Sequence, residues 1–382
     1  MLVVAMPINP SRGGSVIIME KLIKHFSRDE VVLFGELPPL GKAPKRDADR
    51  PQAHYFRSKF SLLGRGDRFL APIRWMLFSL LVRKIRRTIE REKCDYVLGV
   101  YPDEYYCYAA CLAAKQAGVR FSTYFHNTYI DNEAIDATRG NKIQPVLLES
   151  SEFVFVISDG LKRFYQRQYG LDNVITLVHT FEDLPAAEQP RESLSEKDSV
   201  SLVLIGNFNQ SNIEATRRLV DAVSQSDRYR IYMYTHVPIA LLKMRGIDTS
   251  RIQHMGYIDD ANLIVELRKY DIAVLTHGFD GGYGPIEYET IFPTRTIPML
   301  LCGRPILVHS PPNAFLTEFT KHHHFGHLVD VKDKEALIQG LDRICNDTSY
   351  ATDLTQAASK TVMRFHGSNV ASVLRETIGL SQ

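Results

Sequence analysis

Residues 200–223 read VSLVLIGNFNQSNIEATRRLVDAV, and this stretch decides the fold class. The apolar run Val200–Ile205 is typical of a buried strand, the turn Gly206-Asn-Phe-Asn follows it, and Ile213–Val223 has the apolar periodicity of a helix. Strand, turn and helix in this order open a doubly wound α/β domain. We therefore expect a parallel sheet covered by helices.

The amino terminus repeats this order. Leu2–Met6 is an apolar strand pattern, a loop with two glycines ends at Gly14, and a helical pattern runs from Val16 to Phe26. Helices are also predicted at Tyr105–Gln116 and Gly160–Tyr169. The further predicted strands are Val31–Phe34, Tyr96–Val100, Arg120–Phe125, Phe153–Ile157, Tyr229–Tyr234, Ile252–Met255, Ile272–Leu275 and Pro305–Val308. The sequence thus predicts two Rossmann-like domains.

The length of 382 residues suits two domains of ordinary size. In residues 184–199 apolar periodicity gives way to Pro, Ser, Glu and Lys, the composition of an exposed linker. We expect one domain at 1–183, the linker at 184–199 and a second domain from 200 to 364. Two such domains would place the carboxyl ends of both sheets across a cleft, which is the default ligand site.

The composition, 45% hydrophobic and 24% charged, is that of a soluble globular protein. The five cysteines (Cys94, Cys107, Cys111, Cys302 and Cys345) show no CxxC spacing, which favours reduced structural thiols. No apolar run is long enough to span a membrane, so we expect a cytoplasmic protein. The histidines of residues 322–327 could suggest a metal site, but their spacing favours an exposed stretch, and no metal is predicted.

The net charge is only +2, yet residues 41–93 hold 15 basic and 5 acidic side chains. Within them the apolar run Ile73–Val82 leads into Arg83-Lys-Ile-Arg-Arg87. This pattern fits either an amphipathic helix lying on an anionic membrane or a helix that covers the first sheet with a basic outer face. A nucleic-acid partner is not expected, because aromatic residues do not alternate with the basic ones. The residues assigned to an acceptor or membrane side are Arg12, Trp75, Arg83, Lys84, Arg86 and Arg87.

Three stretches of the second half resemble the retaining, nucleotide-sugar-dependent glycosyltransferases of the GT-B class (group 1, family 4-like). They begin at Gly206-Asn-Phe-Asn, at His254-Met-Gly-Tyr-Ile-Asp-Asp and at Phe292-Pro-Thr-Arg, the last leading to Gly303-Arg-Pro. The resemblance implies a GT-B fold, with the first domain on the acceptor side and the second on the side of the nucleotide-sugar donor. It also implies that residues 365–382 form a terminal helix crossing back to the first domain.

Several residues become candidate donor contacts. Thr294 and Thr296 are plausible N-caps of a helix whose amino terminus would suit a diphosphate, and Arg295 stands where the family usually has Lys. Gly13 and Gly14 resemble the family's amino-terminal glycine loop, although a simple tight turn is an alternative. The complete donor-binding set is Gly13, Gly14, Asn207, Tyr257, Ile258, Gly281, Gly282, Thr294, Arg295 and Thr296.

Three residues are candidate catalytic groups. His126 ends a predicted strand, where family members often carry a histidine that contacts the transferred sugar; a histidine bonded to nearby backbone is the alternative. Glu287 and Glu289 are candidates for the family's acidic motif, because Thr290 and Pro298 occupy the positions where its two acids would stand.

Asn207 and Asn212 stand where many family members have Arg and Lys, leaving Arg12, Arg295 and Arg304 as candidate cations. The resemblance implies transfer of a sugar from a nucleotide diphosphate sugar to a saccharide or lipid-linked acceptor, with retention, in surface polysaccharide or glycoconjugate synthesis. No cofactor is expected. A non-catalytic GT-B binding or scaffold protein remains the alternative; a nicotinamide enzyme is disfavoured because neither opening loop reads GxGxxG.

Overall fold

The computed structural model describes residues 1–4, 14–37, 51–57, 74–131, 137–182, 193–281 and 284–380, with backbone alone at 14–17, 137 and 260. The chain forms two compact units. The first contains residues 1–182 and 367–382, and the second contains residues 183–366.

The first unit is built on a seven-stranded parallel sheet with the order β3-β2-β1-β4-β5-β6-β7. Val3 of the central strand pairs with Leu33 on one side and Leu98 on the other, so three apolar runs meet in the middle of the sheet. The strands are β1 Leu2–Val4, β2 Val32–Leu37, β3 Gln52–Arg57, β4 Tyr96–Tyr101, β5 Arg120–Phe125, β6 Val154–Val156 and β7 Val174–Thr176.

Described helices follow five of the strands in this unit, as connections between parallel strands require. Among the described residues before 183 the helices are α1 Gly14–Ile23, α2 Phe78–Arg91, α3 Glu104–Ala117, α4 Ala137–Ser150 and α5 Asp159–Tyr169. The Asp103 carboxylate caps α3 by accepting from Tyr106 N (3.0 Å), and Gly118, with φ +67°, ends it. The apolar face of α2, with Leu81 and Ile85, is buried.

The second unit repeats this plan with a six-stranded parallel sheet of order β10-β9-β8-β11-β12-β13. Its strands are β8 Val200–Ile205, β9 Tyr229–Tyr234, β10 Ile252–Gly256, β11 Ile272–Thr276, β12 Ile306–His309 and β13 His327–Val329. Its helices are α6 Ile213–Val223, α7 Ile239–Met244, α8 Asp260–Leu267, α9 Pro285–Thr290, α10 Thr296–Leu301, α11 Phe315–His323, α12 Lys334–Asn346 and α13 Thr348–Val362. Side chains such as Leu202, Leu219 and Leu341 fill its core.

The last helix, α14 Gly367–Ile378, belongs to the first unit and packs on α1. Arg375 anchors it there: Nε donates to Glu30 Oε1 over 2.6 Å, and the guanidinium lies 4.4 Å from the centre of the Phe26 ring. The hydrogen bond from Arg375 lowers the pKa of Glu30 to about 2. This partly buried ion pair therefore ties the end of the chain to its beginning.

The predicted α/β class with two parallel sheets is confirmed. The bounds predicted for β5, β8, β9 and α6 coincide with the observed ones, whereas β3, β7 and β13 are not predicted. All five cysteines are buried and reduced.

The expectation for residues 322–327 is partly wrong. His322 and His324 are exposed, but His323 packs on Phe319, and His327 opens β13 and bonds Tyr350 Oη through Nδ1 (2.9 Å).

Candidate functional site

The carboxyl ends of β8, β11 and β12 lie side by side at one edge of the second unit's sheet. The chain leaves these strands at Gly206, His277 and Ser310. The backbone N–H of His277 donates to His309 O over 2.7 Å, which extends the β11–β12 pairing past the last strand residue. This is the edge at which doubly wound sheets bind ligands.

The loop after β8 has an unusual backbone. Gly206 has φ +131° and Phe208 has φ +42°, a conformation that side chains disfavour. The Phe208 ring is nevertheless buried in the unit's core, so packing imposes the path of the loop. A Cβ atom on Gly206 would lie 3.5 Å from Cδ of Arg295, which shows how closely the Arg295 side chain passes the end of β8.

Arg295 is a partly buried cation that forms no ion pair with any described carboxylate. Its Nη2 donates to the backbone oxygen of Thr276, at the end of β11. Burial lowers the pKa of Arg295 to about 10, so the guanidinium stays charged at neutral pH. A cation held in this way is a candidate binding group for an anion.

Buried polar atoms without a hydrogen-bond partner in the described structure surround the same strand ends. Asn212 is fully buried, and neither its amide nitrogen nor its amide oxygen is bonded. The other unbonded atoms are Nδ1 of His277, Oγ1 of Thr296 and Oγ of Ser310. Because an unpaired buried polar atom destabilises the fold, this concentration makes the edge the candidate ligand site.

Hydrogen bonds connect these residues into one cluster. The Thr216 hydroxyl donates to Asn212 O (2.9 Å) and lies 2.8 Å from the Thr276 hydroxyl, and Arg295 bonds the carbonyl of the same Thr276. Thr296 follows Arg295 directly. We call Asn212, Thr276, His277, Arg295 and Thr296 the strand-end cluster.

The predicted acidic residues lie on α9, which is fixed to this cluster. His277 Nε2 donates to Tyr288 O (2.8 Å), which leaves Nδ1 as an acceptor; burial lowers the pKa of His277 to about 4 and keeps the ring neutral. Glu287 is buried, whereas Glu289 is partly exposed and accepts from Asn313 Nδ2 over 3.0 Å. The two carboxylates thus have different surroundings.

The predicted N-caps of α10 are wrong. The N-cap is Arg295, in helical conformation and without a side-chain cap; Thr294 is exposed, and Thr296 is the first helical residue. Pro298 is tolerated because it lies in the first turn, where backbone N–H groups have no partner inside the helix. A helix of six residues is also too short to provide an amino-terminal anion site by itself.

The other residues predicted to bind the donor lie farther along this edge or outside the described residues. Asn207 is exposed; its carbonyl accepts from Arg245 Nη1 over 3.2 Å. Tyr257, 55% exposed, and the partly exposed Ile258 follow β10, the edge strand two positions from β8. Gly281 is exposed, with φ +156°, and Gly282 lies outside the described residues.

In the first unit, His126 follows β5 and is buried, as the sequence-based position predicts. The alternative of a histidine bonded to backbone is wrong, because neither ring nitrogen has a partner in the described part of the chain. The ring packs edge-on against Tyr124, with centroids 4.3 Å apart, and lies 6.5 Å from the ring of His179. Burial lowers the pKa of His126 to about 3, which keeps the imidazole uncharged.

Of the predicted amino-terminal loop, Arg12 and Gly13 lie outside the described residues, and Gly14 begins α1. The third candidate cation, Arg304, has a structural contact: its Nε donates to Arg268 O over 2.9 Å. Arg295 is thus the candidate cation that the structure places in the strand-end cluster.

The basic residues of α2 differ from one another. Arg83 and Arg87 are exposed, Lys84 Nζ donates to Tyr55 O (2.6 Å), and Arg86 pairs with Glu90 at 3.4 Å. Trp75 packs in an aromatic cluster with Phe78 and Tyr105, at centroid distances of 4.9 and 5.2 Å. Packing on α3 and β3 therefore explains the apolar face of α2, and Arg83 and Arg87 form its basic outer face.

The described residues contain neither a metal-binding cluster nor a membrane-spanning helix. No group of three or more His, Cys, Asp or Glu side chains there is arranged to hold a metal ion. None of the helices described has the length and apolar character needed to cross a membrane.

The sequence pattern predicts no role for His277 or His179. Asn212 stands out in the sequence only because it occupies a position where many members of the resembled family have Lys. A usable signal existed for His277, because it lies two residues after the end of the predicted strand Ile272–Leu275. His179 lacked such a signal, because β7 was not predicted.

Comparisons with known proteins agree with this description. The chain is similar in structure to sucrose-phosphate synthase from Thermosynechococcus elongatus, with TM-score 0.69, 15% identity and coverage of 100% of this chain and 99% of that one. Anabaena HepE in complex with UDP and glucose matches with TM-score 0.69, 13% identity and coverage of 100% and 99%. The lipopolysaccharide outer core galactosyltransferase WaaB matches with TM-score 0.60, 14% identity and coverage of 99% and 98%.

These similarities confirm the predicted GT-B fold, that of two-domain glycosyltransferases. Residues 12–184 match the model of Glycosyltransferase Family 4. The prediction of a glycosyltransferase is confirmed at the level of enzyme class. A search of curated protein sequences finds no match.

Proposed function

We propose that this glycosyltransferase moves a sugar from a nucleoside diphosphate sugar to a saccharide or lipid-linked acceptor, with retention at the anomeric carbon, in the synthesis of a surface polysaccharide or glycoconjugate. The observation that carries the proposal is Arg295, a partly buried guanidinium without a carboxylate partner in the described structure. A diphosphate supplies the negative charge and the acceptor oxygens that Arg295 and its neighbours lack.

The strand-end cluster suits the leaving diphosphate. As the bond to the anomeric carbon breaks, negative charge grows on the phosphate oxygen, so a fixed cation stabilises the transition state more than the ground state. Asn212 Nδ2 and Thr296 Oγ1 are buried donors that would bind phosphate oxygens. Glu287 or Glu289 would accept from hydroxyl groups of the donor. The expectation that no metal or cofactor is needed stays a prediction.

In the first unit, His126 is the candidate contact for the sugar. An uncharged imidazole both donates and accepts one hydrogen bond, so it can bind a sugar hydroxyl without adding charge near the positively polarised anomeric carbon. UDP-sugars are the first donors to test, because HepE was solved with UDP and glucose. The description of WaaB as a lipopolysaccharide galactosyltransferase supports including lipid-linked acceptors.

The test is a panel of UDP-, GDP- and ADP-sugars, each offered with saccharide and lipid-linked acceptors, with products identified by mass spectrometry. We expect one donor to release nucleoside diphosphate in an acceptor-dependent manner, and the anomeric coupling constant of the product to show retention. Saturable nucleotide binding without turnover across the panel would instead favour the non-catalytic alternative.

We also propose that α2 lies at an anionic membrane surface. Met76, 81% exposed, and Leu80, 49% exposed, precede the exposed Arg83 and Arg87, as expected of an interfacial helix. Replacing both arginines with Gln should reduce sedimentation with phosphatidylglycerol vesicles several-fold. A matched variant carrying Lys24→Gln and Arg167→Gln, which removes two exposed charges elsewhere in the first unit, should sediment normally. Equal sedimentation of both variants would refute this role.

A further inference from the structure

The ring of His179 is a buried polar group that nothing in the proposed reaction yet uses. It is 3% exposed and follows β7 by three residues. Neither of its nitrogens has a hydrogen-bond partner among the described residues, and the same holds for His126. Four unbonded ring nitrogens therefore lie within two neighbouring imidazoles, whose centroids are 6.5 Å apart.

The fold holds these two rings in place from several directions. The Tyr124 hydroxyl donates to Leu177 O (2.7 Å), which connects β5 to the segment after β7 across β6, and the Tyr124 ring packs on His126. The Thr180 hydroxyl donates to Ile18 O (3.1 Å), which ties the residue after His179 to α1. Both rings are thus positioned by contacts that leave their nitrogens unbonded.

The chemistry of the pair selects its ligand. Burial lowers the pKa of His179 to about 3, as it does for His126, so both rings are uncharged. Each offers one N–H donor and one acceptor nitrogen. A phosphate or carboxylate needs donors and positive charge, whereas a hydroxyl group donates and accepts as a neutral imidazole does. A hydroxyl oxygen bonded to both rings would lie about 2.8 Å from each nitrogen, which is compatible with the observed separation.

We infer that His179 is a second sugar-binding residue, which acts with His126 to bind one hydroxyl or two adjacent hydroxyls of an uncharged sugar ring. The inference rests on the proposed function, which supplies the identity of the sugar. That sugar is either the one carried by the donor or the one in the acceptor. It assigns no proton transfer to either ring.

The first experiment observes the rings directly. The full chain with ¹⁵N-labelled histidine is titrated with UDP, with UDP-hexoses (glucose, galactose and N-acetylglucosamine) and with the free hexoses, while nucleotide binding is followed by calorimetry. Signals of His126 and His179, assigned with the variants His126→Gln and His179→Gln, should shift together with a UDP-hexose and not with UDP. Shifts caused by a free hexose alone would assign the pair to the acceptor.

Titrations in which no sugar moves either signal overturn the inference. If the chain binds no nucleotide, the proposed donor site is refuted. The titrations with free hexoses still test the role of the two histidines independently. If a UDP-hexose shifts the signals, His179→Gln should also weaken binding of that UDP-hexose at least tenfold with UDP affinity unchanged; if a free hexose does so, the variant should weaken binding of that hexose instead. His54→Gln, on the opposite edge strand β3, is the matched control and should change neither affinity.

A stability measurement separates a binding role from a structural one. His179→Leu replaces two unbonded nitrogens with apolar atoms, so the melting temperature should stay or rise. In the control His309→Leu it should fall by several degrees, because both nitrogens of that buried ring are bonded, to Arg218 Nη1 and Val329 O, each over 2.9 Å. A comparable fall for His179→Leu would mean that buried water bridges the ring to the protein, and the inference would be wrong.

Discussion

Replacing Arg295 with methionine should weaken nucleotide binding and, at the same time, stabilise the free protein. Methionine keeps an unbranched, flexible apolar side chain but removes the guanidinium and its charge. Burial lowers the pKa from its ordinary 12.5 to about 10, and at about 1.4 kcal/mol per pKa unit this corresponds to about 3 kcal/mol by which burial disfavours the cation. The loss of the hydrogen bond to Thr276 O offsets about 1 kcal/mol of that gain. We therefore expect the variant to unfold with a free energy about 1–2 kcal/mol higher than that of the wild type.

The effect on binding has the opposite sign. A charge-assisted contact to a phosphate contributes about 2–3 kcal/mol when water is largely excluded, so the Kd for UDP should rise by roughly 30- to 150-fold. Titration calorimetry measures this Kd, and urea unfolding of the same samples measures stability. Arg304→Met is the matched control: its contact with Arg268 O is structural, so stability should fall while Kd stays constant. An Arg295→Met variant that binds UDP normally, or that is less stable than wild type, would refute the assignment of Arg295 as an anion-binding group.

Three further results are expected. His126→Ala should lower kcat at least tenfold with little change in UDP affinity, as steady-state kinetics and calorimetry can show; an unchanged kcat would remove His126 from the site. Arg375→Gln should lower the free energy of unfolding by about 1–3 kcal/mol in urea, because it leaves Glu30 unpaired, and an unaltered midpoint would contradict the anchoring of α14. Because His126 and His179 have folded pKa values near 3, below the ordinary 6.5, the unfolded chain binds more protons, and stability should fall as the pH drops from 6 to 4. Replacing both with Gln should reduce that slope by up to about 3 kcal/mol per pH unit in urea titrations, and an identical slope would show that they do not titrate in this way.

The strands that the sequence failed to predict share a position in the fold. β3, β7 and β13 are all edge strands, paired on one side only, and β7 and β13 have three residues each. An edge strand buries less apolar surface than a central one, so the apolar pattern of its sequence is weaker. Such a segment becomes a strand because it pairs with a neighbouring strand that is distant in sequence. Missing β7 also meant missing His179.

Local pattern was enough to predict the alternation of strands and helices, because burial on both faces of a parallel sheet requires continuous apolar runs such as Val200–Ile205. It also indicated the strand end at which His126 stands. The sequence also showed which residues have side chains that could bind a diphosphate, but it did not show the hydrogen-bond partners of those side chains in the folded protein.

Tertiary structure alone decided which of these polar groups are used within the protein and which are left for a ligand. Arg304 and Arg295 each donate to a backbone carbonyl oxygen, but the partner of Arg304 is residue 268, whereas that of Arg295 is Thr276, at the strand end beside the unbonded side chains of Asn212 and Thr296. Asn212 and His277 lie 65 positions apart in the chain and share one cluster because β8 and β11 are neighbours. Hydrogen-bond partners are set by which chain segments the sheet brings together, and that order follows from packing of the whole unit rather than from any local stretch of sequence.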